Sequence, residues 1–238
     1  MAESSSAALK KIEQGERKFL LDVATATDVW LRASEHLRPQ LRDATRPITY
    51  HRTTYFDTPD HAYYRGTGGV ARRIRVREYA TACAPGTPPV LMRPCFLELK
   101  QSSHGLRSKA RLELEAPEVG NHLEQFGGAG LMPCLTTWYK RVALTDSTES
   151  IRVTLDSELA YCPPQPIGAP CTTEPQAFAR AGALVLEIKS WGHMPAWLAM
   201  LVRSLQETQD FSKFRAGMQA AAMVATAATA MVADAQRV

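Results

Sequence analysis

Apolar and charged residues alternate along several segments of the chain, which is the pattern of a β-strand with one apolar and one charged face. The clearest example puts Arg73, Arg75 and Arg77 on one face and Ile74 and Val76 on the other. The same alternation recurs at residues 96–100, 109–115, 151–156 and 184–189. Because Lys, Arg and Glu share one parity in all of these segments, the pattern predicts a sheet closed around a polar interior.

The period-two segments predict about eight strands, which are enough to close a barrel. They are centred near Glu16, Tyr55, Arg75, Glu98, Arg111, Tyr139, Val153 and Glu187. The predicted fold is therefore mainly β within the α+β class: a closed eight-stranded antiparallel β-barrel with a few covering helices.

Two helices are predicted to cover the apolar outside of this barrel. Thr27 is expected to cap the first helix, whose apolar face includes Val29 and Ala33 and which Pro39 ends. The second is expected to begin at Pro195, with Trp197, Leu198, Leu201, Val202 and Leu205 at helical spacing.

One domain is expected from 238 residues with 45% hydrophobic content. We predict a flexible N-terminus at 1–11, a tunnel-barrel domain at 12–217 and an alanine-rich C-terminal helix at 218–238 that packs on or near the barrel. The alanine-rich stretch is too weakly hydrophobic to span a bilayer, so no direct membrane insertion is expected.

Charge and cysteine usage narrow the functional classes. The net charge of 28 − 24 = +4 is too mild to indicate nucleic acid binding unless the positive charge is concentrated in one place. Five cysteines without a C-x-x-C spacing, and no signal segment, predict a reducing cytoplasm. No P-loop or dinucleotide-binding glycine motif is present, so any nucleotide must be bound by basic side chains.

Several segments, in order, resemble the triphosphate tunnel metalloenzymes, the group that includes the CYTH domains. Glu16-Arg17-Lys18 resembles their E-x-K opening, YFDTPD at 55–60 their second-strand signature, and residues 75–79 their R-x-R-x-Y strand. Later motifs resemble the VTC domain, the catalytic polyphosphate-polymerase domain of the vacuolar transporter chaperone complex. These are FLELK at 96–100, SKAR at 108–111, YKR at 139–141, RVTLD at 152–156, LEIK at 186–189 and FSKF at 211–214.

The resemblance implies a bore that binds a phosphate chain with Lys and Arg and holds a divalent metal with Glu. Lys and Arg are the side chains that neutralise phosphate oxygens, and a Mg²⁺ or Mn²⁺ ion that bridges phosphates needs few carboxylates. The catalytic candidates are Lys18, Arg75, Arg77, Lys100, Arg141 and Lys213. The other phosphate-binding candidates are Lys109, Arg111, Arg152, Lys189 and Ser212. The metal-ligand candidates are Glu187, Glu16 and Glu98.

The implied activity is that of a metal-dependent polyphosphate polymerase, which transfers the γ-phosphoryl of ATP to a polyphosphate chain with Mn²⁺ or Mg²⁺ as cofactor. ATP and inorganic polyphosphate or triphosphate are the expected ligands. The hydrolytic CYTH members open with E-x-E-x-K, and Gln14 stands at the first acidic position here. That departure favours transfer over hydrolysis. The alternatives are an inorganic triphosphatase or polyphosphatase of the CYTH type, and a non-catalytic polyphosphate-binding module.

The roles of six further residues have more than one interpretation at this level. Arg73 lies on the parity of the other arginines but outside the motif, so a rim or surface position is equally expected. Glu98 and Glu187 each precede a lysine by two residues and could serve only to orient it. Tyr55, Tyr79 and Tyr139 are expected to pack within the barrel.

Overall fold

A computed structural model describes residues 15–66, 71–103, 106–208 and 211–235. Within these ranges one antiparallel sheet contains eleven strands. They are β1 (Gly15–Leu21), β2 (Arg38–Pro39), β3 (Ile48–Asp57), β4 (Ala71–Ala82), β5 (Val90–Leu91), β6 (Cys95–Ser103), β7 (Leu106–Leu114), β8 (Met132–Thr145), β9 (Ile151–Cys162), β10 (Ala179–Arg180) and β11 (Leu184–Ser190). The helices are α1 (Val23–Ser34), α2 (Ala62–Arg65), α3 (Val119–Gly127), α4 (Ala196–Val202) and α5 (Lys213–Ala235), with a 3₁₀ turn at Ala116–Glu118 before α3.

The eight long strands are the eight that the alternating pattern predicts. Their order in the sheet is β1-β11-β9-β8-β3-β4-β6-β7, and the two-residue strands β10, β2 and β5 pair at the side of β9, β8 and β4. The mainly β character of the fold, with a few helices, is therefore confirmed.

The predicted closure of the barrel is wrong. No pairing joins β1 to β7 anywhere in the described parts of the chain, so strand pairing does not close the sheet. The edge of β1 is taken by the segment before α5, where the backbone N–H of Thr208 donates to the carbonyl of Lys18 at 2.8 Å. Phe19 forms a bridge with Glu207, whose carboxylate also pairs with Arg17 at 2.8 Å. Hydrogen-bonding groups that would close a barrel are thereby occupied by a loop.

The sheet is nevertheless strongly curled. Lys100 on β6 and Lys189 on β11 are five strand positions apart, which in a flat sheet is about 24 Å. Burial, Arg75 and Lys189 lower the pKa of Lys100, while Glu16 and Glu187 act on it in the opposite direction. Charges from the β1 and β11 side therefore lie close to β6 across the interior, and the charged side of the sheet is a concave face.

The outer side of the sheet is apolar and is covered by helices. Leu186 and Ile188 pack with α1 and α4, and Ile74 and Leu97 pack with α3, a helix that the sequence pattern did not predict. The second predicted helix is confirmed as α4, with Pro195 at its N-cap.

The predicted start of the first helix is wrong. Asp22 caps α1 through its carboxylate, which accepts a hydrogen bond from the backbone N–H of Thr25. Thr27 lies inside the helix, and its hydroxyl donates to the Val23 carbonyl. Asp22 is the stronger cap because its carboxylate accepts from both the N–H and the hydroxyl of Thr25.

Helix α5 joins the body of the protein at its first turns. Phe214 and Met218 are buried against β8 and β9, and the helix approaches so closely at Gly217 that an added Cβ would lie 2.5 Å from Leu135. Residues 222–230 are exposed. None of the helices within the described ranges is both long enough and apolar enough to cross a membrane. The predicted division into 12–217 and 218–238 stays a prediction, and segment 1–11 lies outside the described residues.

Candidate active site

Every residue assigned to the site from its sequence pattern lies on or beside the concave face. Strand register sets most of these positions, because residues of the same parity on neighbouring strands stand side by side. Lys18 pairs with Glu187, Glu16 with Lys189, and Lys189 with Arg152 across β1, β11 and β9. In the β4, β6 and β7 part of the sheet, strand register sets Arg75 opposite Glu98 and Glu98 opposite Arg111. Lys100 stands opposite Lys109 in the same way. Ser212 and Lys213 reach the face from the start of α5.

Glu98 is the anchor of the β4, β6 and β7 side. Its side chain is 1% exposed and lies 2.7 Å from Arg75 Nη2, 3.0 Å from Lys109 Nζ and 3.7 Å from Arg111 Nε. Burial alone would raise its pKa, but Arg75 and Arg77 outweigh burial and hold the pKa far below the usual range. Surrounded by three cations, Glu98 is better placed to orient them than to bind a metal.

Asp156 is the corresponding anchor on β9, and the sequence pattern did not single it out. Its carboxylate is fully buried and accepts from Arg141 Nη2 at 2.7 Å and from Lys213 Nζ at 2.7 Å. Burial would raise the pKa of Asp156, but Arg141 and Lys213 lower it, and Asp156 in turn raises the pKa of both cations against their own burial. One carboxylate thus fixes two of the predicted catalytic cations.

Glu16 and Glu187 form a carboxylate pair on β1 and β11. Lys189 lies 3.1 Å from Glu187 and 3.9 Å from Glu16, and Lys18 contacts Glu16. Burial and the charge of Glu187 raise the pKa of Glu16, although the two lysines lower it overall. The pKa of Glu187 is held well below its usual range by Lys189 and Arg141, against burial. Both groups are therefore ionised and close enough to repel each other.

Three basic side chains on the concave face have no carboxylate within ion-pair distance among the described residues. The buried Nε atoms of Arg77 and Arg152 have no hydrogen-bond partner. Burial and Arg75 lower the pKa of Lys100 to about 6. Buried donors of this kind are costly unless an acceptor reaches them, and that acceptor must come from a ligand or from solvent.

The two ends of β4 are covered by groups from outside the sheet. At one end Arg73 Nη1 donates to Ser212 Oγ at 3.0 Å, so Arg73 occupies the rim beside Lys213. At the other end the guanidinium of Arg42 lies 3.3 Å from the ring centroid of Tyr79. Arg73 and Tyr79 are six residues apart along the strand, which is about 20 Å.

The aromatic residues of the face are buried, as predicted, and they also shape its chemistry. Tyr139 stacks on His51 at 4.9 Å, and the ammonium of Lys213 lies 4.7 Å from the Tyr139 ring. Burial lowers the pKa of His51, and Arg141 lowers it further, so the imidazole is neutral at neutral pH. His51 and Asp156 could have been found from strand parity, since each lies two or four residues from an inward residue. Arg42 lies in a loop and gives no such signal.

The sequence of the chain matches the VTC domain over residues 13–128 and 125–222. The chain belongs to the VTC domain family. The resemblance of the later motifs to the VTC domain is thereby confirmed. No curated protein matches the chain.

Two solved structures share the fold of this VTC domain at low sequence identity. A protein from Bacillus halodurans, described as a proposed adenylate cyclase, is 13% identical with a TM-score of 0.53, covering 86% of this chain and 98% of its own. A protein from Pyrococcus horikoshii OT3 is 13% identical with a TM-score of 0.51, covering 87% and 98%. At this identity the likeness concerns the fold alone.

The carboxylate pair of the VTC domain fits a divalent cation. Glu16 and Glu187 are ionised and neighbouring, and their direct ion-pair partners are flexible lysines. Among the described residues no group of three or more His, Cys, Asp or Glu side chains could enclose a metal. A Mg²⁺ or Mn²⁺ ion here would take its other ligands from phosphate oxygens and water, which is the usual arrangement for Mg²⁺ in phosphoryl-transfer sites. Gln14, which stands where the hydrolytic CYTH members have another acidic residue, lies outside the described residues.

Proposed function

We propose that the concave face binds a chain of phosphates and that the protein is a metal-dependent polyphosphate polymerase, which transfers the γ-phosphoryl of ATP to inorganic polyphosphate. The site residues proposed for this role are those assigned from the sequence, with Glu98 as an anchor of cations and Asp156 added.

The observation that carries this proposal is a set of three buried basic side chains that have no ion-pair partner among the described residues. Arg77, Arg152 and Lys100 share one concave surface; the Nε atoms of the two arginines have no hydrogen-bond partner, and no carboxylate lies within ion-pair distance of the three side chains among the described residues. A polyanion with oxygens along its whole length supplies acceptors to all three at once. Glu98 and Asp156 explain how the neighbouring cations stay in place before the anion arrives.

The reaction needs little covalent chemistry from the protein. A terminal oxygen of the polyphosphate forms a bond to the γ-phosphorus of ATP as the bond from that phosphorus to the ADP oxygen breaks. Positioning and charge stabilisation account for most of the rate of such a transfer. Arg141 and Lys213, both held by Asp156, would contact the transferred group, and Arg75 and Arg77 would hold the chain from β4, which β3 separates from β8.

Glu16 and Glu187 are the residues that would hold the divalent cation. When bound, that cation would offset the negative charge of the phosphate oxygens. Lys18 and Lys189 lie beside the two carboxylates and are free to turn toward phosphate oxygens once the carboxylates have another partner.

The decisive experiment incubates the purified protein with ATP and Mn²⁺ and resolves the products by gel electrophoresis and phosphorus NMR. The proposal expects ADP and chains that lengthen with time. Orthophosphate released from triphosphate without chain growth would replace the polymerase by a triphosphatase. Tight binding without turnover under any divalent metal would leave a non-catalytic binding module.

Binding can be tested separately from turnover. Affinity for tripolyphosphate should fall steeply with added salt, by analogy with other polyanions. Arg77→Ala should weaken it by about 1.5 to 3 kcal/mol, the range for charge-assisted hydrogen bonds. Arg32→Ala, which changes an exposed residue of α1, is the matched control and should leave affinity unchanged.

A further inference from the structure

A cavity of about 350 Å³ lies on the convex side of the sheet, away from the concave face. Glu78 of β4 lines it and has the parity of Val76, which belongs to the apolar outer side. Cys95 of β6, Leu91 of β5 and Ala116 of the 3₁₀ turn line it as well. Its volume is at the lower end of the range of about 300 to 1,000 Å³ that is typical of small-molecule sites.

The segment between β9 and β10, residues 163–178, covers part of this cavity, and we call it the strap. Gly168 and Cys171 of the strap line the cavity. The backbone N–H of Gly168 donates to the Glu78 carboxylate at 2.7 Å, which fastens the strap to β4. Gly168 has a φ of +80°, and an added Cβ would lie 2.9 Å from the Cβ of Ala116. Only glycine permits this conformation and this approach, so the cavity has a defined shape.

The charges beside the cavity occur in two pairs. Glu78 is buried and accepts from Arg52 Nε at 2.8 Å and from Arg52 Nη2 at 2.9 Å. Arg93 and Glu115 lie 3.7 Å apart, and both side chains are exposed, so this pair lies at the rim. Each carboxylate of the lining therefore has a guanidinium partner already. A charged ligand would lose its hydration here without gaining an unpaired counter-charge, so the cavity favours an uncharged ligand.

The rest of the lining is apolar and contains three sulfur atoms. Burial and the charge of Glu78 raise the pKa of the Cys95 and Cys171 thiols to about 11, so both thiols are neutral at physiological pH. An ionised glutamate offers about four acceptor positions, and Arg52 and Gly168 together fill three of those of Glu78. One acceptor position is left for a donor on the ligand. The apolar lining residues are Pro89, Val90, Leu91, Met92, Cys95, Ala116, Pro170 and Cys171.

We propose that this cavity binds a small uncharged molecule that is mostly apolar and carries one hydrogen-bond donor, which Glu78 accepts. Indole has this chemistry, because it is a planar apolar ring system with one N–H donor and no charge. The inference does not rest on the proposed function. The cavity lies on the opposite side of the sheet and shares no residue with the set assigned to phosphate or metal binding.

The test titrates indole into the purified protein, labelled with ¹³C in its methionine methyl groups, and follows the Met92 resonance by NMR. Indole should shift this resonance in a saturable way, and saturating tripolyphosphate should not change its affinity. Tryptamine, which adds an ammonium group, and indole-3-acetate, which adds a carboxylate, should each bind at least about tenfold more weakly.

A cavity-filling variant locates the binding. Val90 lines the cavity and is 50% exposed, so a tryptophan at this position can occupy the cavity without replacing a core residue. Val90→Trp should weaken indole binding by at least about tenfold. Val224→Trp changes a valine of α5 that is 46% exposed and does not line the cavity, so it is the matched control. Its affinity for indole should stay within about twofold of wild type.

Four results would overturn the inference. The first is no saturable shift of the Met92 resonance, and the second is equal affinity of wild type for indole and for either charged analogue. The third is indole binding that tripolyphosphate abolishes, which would place indole on the concave face. The fourth is a folded Val90→Trp variant that binds indole as wild type does. Because the first three results are measured on wild type, they decide the question even if Val90→Trp does not fold.

Discussion

Asp156→Asn tests whether the two proposed catalytic cations Arg141 and Lys213 depend on one buried carboxylate. In the ligand-free protein the substitution leaves Arg141 and Lys213 buried without a neutralising charge. Removing one partner of a buried ion pair typically costs about 3 to 5 kcal/mol. For a domain of this size we therefore expect the melting temperature to fall by roughly 10 °C.

A phosphate ligand should restore much of this loss. Tripolyphosphate brings negative charge to the same two cations, so it should raise the melting temperature of Asp156→Asn by more than it raises that of wild type. Both shifts can be measured by calorimetry or by fluorescence as the ligand concentration increases. Asp28→Asn, which breaks an exposed pair with Arg32 at 3.5 Å, is the control and should cost less than about 0.5 kcal/mol.

Two results would refute this reasoning. A variant that melts within a few degrees of wild type would show that Asp156 does not compensate the two cations. Equal stabilisation of variant and wild type by tripolyphosphate would show that Arg141 and Lys213 do not face the ligand.

Three further predictions concern the chemistry of the concave face. Because the pKa of Lys100 is lowered to about 6, the lysine is mostly neutral at pH 7.5; phosphate binding should recharge it and take up about one proton. Affinity should therefore decrease as pH rises above neutrality, and calorimetry in buffers of different ionisation enthalpy should detect the proton, which Lys100→Arg should abolish. Glu187→Gln should keep a melting temperature near wild type but lose most metal-dependent turnover, and near-normal turnover would transfer the metal role to Glu16. Lys213→Ala should lower turnover more than it weakens tripolyphosphate binding, whereas equal losses would make Lys213 an ordinary binding cation.

Strand parity was sufficient to predict the eight long strands and the composition of the interior. Each inward residue follows from its neighbours, because side chains of a strand alternate between faces and register aligns the strands. Arg75, Glu98 and Glu187 were found in this way. The different roles of Glu98 and Glu187 were not found in this way. Parity does not distinguish a carboxylate that is enclosed by cations from one that faces a second carboxylate.

The absence of barrel closure and the position of Arg42 both depend on contacts between distant parts of the chain. Glu207 and Thr208 occupy the edge of β1 that a closed barrel would pair with β7. They lie far from β1 in sequence, and nothing within the β1 segment predicts this contact. The position of Arg42 follows from the anchoring of its loop to β8, which is also a non-local contact. The Thr27 prediction failed for a local reason, since Asp22 offers a stronger acceptor one turn earlier.

The missing pairing between β1 and β7 bears on how a polymer enters. A closed barrel admits a long chain only end first, whereas here no ladder of hydrogen bonds links β1 to β7 within the described residues. Parting β1 from β7 therefore breaks no pairing between these two strands, and the concave face is accessible from that side. A polyphosphate could then be laid in sideways, at any point along its length. Polyphosphate carrying bulky groups at both ends should associate as fast as the unblocked chain; a much slower rate would show that the chain must thread.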